Sequence, residues 1–63
     1  MTVYKVYENI EMKFPNSGYP GVNTWLATFR NPDEAFDYYT KKKENDYETM
    51  DIKKEHFILE ENV

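Results

Sequence analysis

Hydrophobic and polar residues alternate along residues 2–14, TVYKVYENIEMKF. The even positions are mostly apolar and the odd positions mostly polar, which predicts a long β-strand with one covered face, or two short strands with a bend near Glu8 and Asn9. Glu8 breaks the pattern because it falls on the apolar phase. Two interpretations are open for this residue: a bulge that turns its carboxylate to solvent, or a carboxylate held at the edge of an apolar surface, where it orients a partner.

A loop and a second strand are expected next. Two prolines and two glycines fall within residues 15–21 and interrupt any regular element there. The predicted surface loop carries Tyr19 at its tip, as a candidate for contact with a partner. Residues 22–29, VNTWLATF, are rich in β-branched and aromatic types and predict a strand. We expect Trp25 to be the core residue on which the helix packs.

The segment FRNPDEAFDYYTKKK, residues 29–43, predicts a helix of about three turns. Asn31 is suited to the N-cap, and Pro32 fits the first helical position. Acidic residues then stand at the positive end of the helix dipole and three lysines at its negative end. Asn45 is expected to adopt the left-handed conformation of a C-cap.

Apolar residues of this helix recur at spacings of three and four, the pattern of a face turned toward a core. Asp37 lies on the opposite side, and Tyr38 is expected at the flank, half exposed. The predicted core stripe consists of Pro32, Ala35, Phe36 and Tyr39.

From Tyr47 onward the pattern is again extended, but its phase changes between Lys53 and His56. Either one strand contains a bulge or there are two short strands. The predicted fold is therefore α+β, a single domain over residues 1–63. Its three-stranded antiparallel sheet, in the order β-β-α-β, has one helix packed on one face. One short helix cannot cover every apolar position of such a sheet, so we expect a homodimer.

Composition narrows the possible functions. Twelve acidic and eight basic residues give a net charge of −4, which disfavours direct binding to nucleic acid. Cysteine is absent, and no segment has the length of a membrane span or the features of a signal peptide. We therefore expect a cytoplasmic protein without membrane contact. Six Tyr, four Phe and one Trp either enlarge a minimal core or form an interface.

Candidate chemistry is sparse. His56, in KKEHFI, is the one histidine, and a lone histidine flanked by charged residues is more often structural than catalytic. Neither a metal-binding spacing nor a phosphate-binding loop is found in the sequence. A chain of 63 residues also has little room for a concave pocket of ordinary size. We predict a protein that is not an enzyme and that binds no cofactor or metal.

A short, acidic, tyrosine-rich chain with this predicted order of elements resembles the small dimeric phage inhibitors of uracil-DNA glycosylase. The residues that carry the resemblance are Phe36, Asp37 and Tyr39, although Tyr39 comes one position earlier than in that family. The resemblance implies an acidic edge that imitates DNA and an apolar pocket between subunits that captures a side chain of the enzyme. Phe36 and Tyr39 would border this pocket, with Glu8 or Asp37 oriented toward it.

These features favour a non-enzymatic protein-binding module of a phage or mobile element that inhibits a host DNA-handling or defence protein. An accessory subunit of a larger assembly and a sensor of small ligands are the alternatives. The candidate partner-binding residues are Glu8, Tyr19, Phe36, Asp37, Tyr38 and Tyr39.

Overall fold

A computed structural model of the chain describes residues 1–13 and 21–63. The described residues form four strands and one helix. All strand pairs are antiparallel, in the order β2-β1-β4-β3. The elements are β1 (Thr2–Met12), β2 (Val22–Phe29), α1 (Pro32–Lys43), β3 (Tyr47–Glu48) and β4 (Ile52–Asn62).

The predicted sheet of three strands is wrong, although the α+β class and the single helix agree with the structure. The additional strand, β3, has two residues, too few for a hydrophobic pattern to reveal it. The chain reverses after β3 because the Thr49 hydroxyl accepts hydrogen bonds from the backbone N–H groups of Asp51 and Ile52. β4 then runs back along β3 and β1.

The phase change in the last strand has a different cause from either predicted one. The register between β1 and β4 is continuous from Thr2↔Asn62 to Met12↔Ile52, so β4 contains no bulge against β1. Its even positions include Lys54 and His56, two polar residues on the same face as Ile58. The apolar pattern is interrupted because these two polar side chains lie on the same face of β4 as the apolar Ile52 and Ile58.

A bulge does occur in β2. Ala27 pairs with Val6 and Trp25 pairs with Tyr7, which leaves Leu26 as an extra residue. Trp25 consequently lies on the sheet face opposite to Ala27 and Phe29. The prediction that Trp25 belongs to the core is wrong, since 58% of its surface is exposed.

The helix packs against one face of the sheet, which we call the covered face. Val6 of β1 and Ala35 of α1, 0% and 1% exposed, are buried between the helix and this face. The Phe29 ring contacts the Tyr38 ring, with centroids 5.3 Å apart. The opposite face, which carries the odd-numbered residues of β1 and β4, is called the open face. Within the described residues, no helix is long and apolar enough to cross a membrane.

The N-terminal end of the helix agrees with the sequence-based prediction. The Asn31 side chain accepts a hydrogen bond from the Asp33 N–H at 2.8 Å, and Pro32 is the first helical residue. The C-terminal end differs from the prediction. Glu44 is the C-cap in a right-handed conformation, and Asn45 donates its N–H to the Lys42 carbonyl. Asn45 has no positive φ angle, so the predicted left-handed cap is wrong.

Candidate functional site

Three aromatic side chains form a row across the open face, one from each of three neighbouring strands. Tyr7 of β1 pairs with Trp25 of β2 on one side and with Phe57 of β4 on the other. The rings of Tyr7 and Phe57 stack, with centroids 5.4 Å apart and planes at 11°. We call Trp25, Tyr7 and Phe57 the aromatic row. It lies on the sheet face that α1 leaves uncovered.

Trp25 is held in one orientation although it is largely exposed. Its indole Nε1 donates a hydrogen bond to the Thr28 hydroxyl at 2.8 Å. Both residues belong to β2, on the two sides of the bulge, so the bulge brings them onto the same face. A large aromatic side chain whose polar atom is already bonded loses little conformational freedom when a partner covers it.

Lys5, Lys13 and Lys53 of the open face are each paired with a glutamate. Ion pairs join Lys5 to Glu61 at 2.8 Å and Lys53 to Glu55 at 3.9 Å, and a third joins Lys13 to Glu48. The hydrogen bond from Lys5 to Glu61 raises the pKa of Lys5, against a smaller lowering by desolvation. The hydrogen bond from Lys13 lowers the pKa of Glu48. Positive and negative groups are therefore interspersed around the aromatic row.

The covered face contains a polar cluster centred on His56, which is 5% exposed. Its Nδ1 lies 2.5 Å from Asp46 Oδ1, and its Nε2 lies 3.2 Å from Glu8 Oε2. Lys54 lies 3.6 Å from the same oxygen of Glu8. These four residues, the His56 cluster, connect β1 and β4 to the segment that follows the helix.

Hydrogen-bond chemistry limits what the His56 cluster can do. Ionised carboxylates only accept hydrogen bonds, so the ring bonds both of them only when both of its nitrogens carry hydrogen. The carboxylates of Asp46 and Glu8 approach different ring nitrogens, and a metal on one nitrogen would not reach both. Consistent with this, no group of three potential metal ligands is found in the described part of the chain. The His56 cluster is therefore a set of polar contacts that connects the sheet to the segment after the helix.

The structure brings some of the predicted partner-binding residues together on the helix. Phe36 is 63% exposed, so its predicted place in the core is wrong. Its ring lies 6.2 Å from the ring of Tyr39, between centroids. Asp37 is exposed and forms an ion pair with Lys41 at 3.5 Å. Tyr38 is half-buried against the sheet, as expected.

The other two predicted residues do not join this group. Glu8 belongs to the His56 cluster, and its carboxylate contacts His56 and Lys54 on the covered face. The prediction that a bulge turns it to solvent is wrong, since the bulge lies in β2 and Glu8 keeps its regular pairing with His56. Tyr19 lies outside the described residues.

The sequence pattern alone does not predict the aromatic row, although it contains part of the evidence for it. Tyr7 and Phe57 occupy odd positions that match the phase of charged residues, which indicates a face without a helix. Trp25 carried no such signal, because the bulge in β2 reverses its direction relative to Phe29. The His56 cluster likewise depends on the register between β1 and β4.

Comparison of the chain with protein-family models, curated proteins and solved structures found no match.

Proposed function

We propose that this chain is a non-enzymatic protein-binding module whose contact surface is the open face, centred on the aromatic row. The observation that carries the proposal is the alignment of Trp25, Tyr7 and Phe57 across three strands. Residues that contribute most to protein interfaces are enriched in Trp and Tyr and lie near the centre of the contact. A rigid sheet supports this row from behind, which lowers the cost of ordering it.

The surrounding charges favour a protein partner over a nucleic acid. Aromatic side chains on an antiparallel sheet can also stack on unpaired bases, provided that basic residues neutralise the phosphates. Here Lys5, Lys13 and Lys53 are each paired with a glutamate, and the whole chain carries a net charge of −4. Binding to phosphates would require these ion pairs to break.

The partner is a protein that presents an apolar protrusion surrounded by charges of both signs. An apolar group would lie on the aromatic row, while the rim matches the alternating lysines and glutamates around it. Inhibition of a host protein by a phage or mobile-element protein is the specific form of this proposal. That form is supported by the small size, the aromatic content and the acidic balance of the sequence.

The test compares three alanine variants in binding to a partner first identified by affinity capture. Trp25→Ala should weaken binding at least tenfold, as expected for a central interface aromatic. Met50→Ala is the matched control, because Met50 is apolar and 93% exposed but lies in the turn before β4. Phe36→Ala tests the helix surface that the sequence suggested. Calorimetric titration gives each dissociation constant, and circular dichroism confirms that each variant is folded.

Two results would overturn the proposal. In the first, Phe36→Ala abolishes binding while Trp25→Ala binds like the wild type, which would place the contact on the helix. In the second, a labelled single-stranded oligonucleotide binds the wild type, and Trp25→Ala and added salt both weaken that binding. The open face would then be a surface for stacking bases.

A further inference from the structure

β2 forms one edge of the sheet, and its outer side is a row of backbone groups without a strand beside it in the described part of the chain. The strand is eight residues long, and none of the residues from Val22 to Phe29 is charged or is proline. Protein sheets usually protect such an edge with lysines, prolines, short strands or a covering segment. An uncharged edge of this length is a surface for pairing with another strand.

The opposite edge differs in each of these respects. It consists of the two-residue β3 and of the part of β4 that runs past it, which contains Glu55, Glu60 and Glu61. Two copies that met through this edge would bring acidic side chains together, which opposes pairing. The chain therefore has one edge protected by charge and one that is not.

We propose that β2 pairs with β2 of a second copy, antiparallel and around a two-fold axis between Trp25 and Leu26. The bulge selects this register. When a regular strand pairs with a second copy of itself, two paired residues point to the same face only when the sum of their residue numbers is even. The bulge at Leu26 reverses the alternation of side chains within β2. A residue before the bulge and a residue after it therefore point to the same face when the sum of their numbers is odd. Val22 then lies opposite Phe29 of the second copy, Asn23 opposite Thr28, and Thr24 opposite Ala27.

The bulge itself does not prevent this pairing. A bulge protects an edge when it bends one strand away from a regular neighbour. At the centre of β2 it lies on the proposed two-fold axis, where the second copy carries the same bend. The two halves of the strand, before and after Leu26, each meet the complementary half of the other copy.

The pairing goes beyond the proposed function and has a consequence for it. A two-fold axis perpendicular to the sheet keeps both helices on one side and both open faces on the other. The two copies of Trp25 then lie beside the axis, so that the aromatic rows of both subunits form one continuous surface. Pairing between copies requires no rearrangement of the covered face or of the His56 cluster.

Sedimentation equilibrium of the whole chain tests the association. The wild type should change from monomer to dimer as its concentration rises. Thr24→Lys should remain a monomer at the same concentrations, because Thr24 is exposed and a lysine there protects the edge. Thr40→Lys is the matched control, since Thr40 is an exposed helix residue, and should dimerise like the wild type. A wild type that stays monomeric, or a Thr24→Lys variant that still dimerises, would overturn the proposal.

Disulfide cross-linking tests the register, because the chain contains no cysteine of its own. An equal mixture of Asn23→Cys and Thr28→Cys should form a disulfide between unlike chains, since directly paired residues lie within disulfide distance. Neither variant should form a homodimeric disulfide alone. Cross-linking of like chains only would contradict the register.

The two proposals can fail separately. If β2 instead receives a strand from the partner protein, the wild type alone will be monomeric and Thr24→Lys will weaken partner binding. That result overturns the proposed dimer and leaves the effect of Trp25→Ala as the test of the open face.

Discussion

Tyr7 and Phe57 lie directly opposite each other on β1 and β4, and their rings stack on the face of the sheet that the helix does not cover. The planes differ by 11°, and the centroids are 5.4 Å apart. Both side chains are half-buried although no element of the described chain packs on them as α1 packs on the covered face. The pair therefore contributes to stability within the sheet and also supports Trp25, the third member of the row.

The stack predicts a measurable coupling between the two rings. Tyr7→Leu and Phe57→Leu should each destabilise the protein, and the double variant should lose less than the sum of the two. The coupling should be about 0.5–1 kcal/mol, as for aromatic pairs across strands. Urea unfolding of the four proteins in this double-mutant cycle measures it.

A control pair for this cycle is Lys53 and Glu55, whose ion pair of 3.9 Å lies on an exposed part of the same face. Their coupling should be a few tenths of a kcal/mol, since exposed ion pairs contribute little (roughly 0–1 kcal/mol). A Tyr7–Phe57 coupling no larger than this control would show that the stacking contributes nothing beyond burial.

The His56 cluster predicts a large loss of stability when its central residue is removed. His56→Ala leaves Asp46 without its ring partner on the covered face and leaves Glu8 with Lys54 alone. The expected cost is about 2–3 kcal/mol, from the Asp46 carboxylate left without its partner together with the lost side-chain volume. Chemical denaturation gives the change in the free energy of unfolding.

Two comparisons distinguish the loss of stability due to the His56 cluster from a general effect of substitution in β4. Lys53→Ala, on the opposite face of the same strand, should cost less than about 1 kcal/mol. Asp46→Asn combined with His56→Ala should recover part of the loss, because the carboxylate that lost its partner is then absent. If the double variant is as unstable as the sum of the single ones, the Asp46 carboxylate left without a partner is not the cause.

Local signals predicted the start of the helix well because its N-cap is determined by neighbouring residues, whereas the predicted left-handed C-cap at Asn45 is wrong. Asn31 needs only the N–H of Asp33 to act as a cap, and Pro32 needs no partner at all. The alternation of apolar and polar residues in β1 and the β-branched and aromatic residues of β2 likewise predicted strands within a few residues of their observed bounds. β3 is not predictable in this way because two residues are too few to show an alternation of apolar and polar positions.

The candidate site was less predictable because it depends on register. Nothing near Trp25 in the sequence shows that Leu26 is an extra residue, since the bulge exists only relative to β1. The sequence pattern leaves Glu8 open between a bulge and an interface carboxylate because its partner, His56, is 48 residues away. Ala35 and Phe36 both follow the helical spacing of core residues, yet Ala35 is buried and Phe36 is 63% exposed.

The N-cap predicts a loss of helix stability on substitution. Asn31→Ala removes the acceptor of the Asp33 N–H and should cost about 1 kcal/mol. Asn31→Asp keeps an acceptor in the same place and should change stability by only a few tenths of a kcal/mol. Thermal unfolding followed by circular dichroism compares the two variants. Equal losses for Ala and Asp would mean that the side-chain hydrogen bond does not stabilise the helix.

The ion pair between Lys13 and Glu48 ties β3 to the end of β1, and it predicts a dependence of stability on pH. The hydrogen bond from Lys13 lowers the pKa of Glu48 below the ordinary glutamate value. A carboxyl group of this kind stabilises the folded protein above its unfolded pKa, and this contribution is lost as pH falls through the folded pKa. Wild type should therefore be more stable than Lys13→Gln near neutral pH, and the difference should decrease in acid. Glu48→Gln should show the same convergence, whereas a difference that stays constant into strong acid would exclude this ion pair as its source.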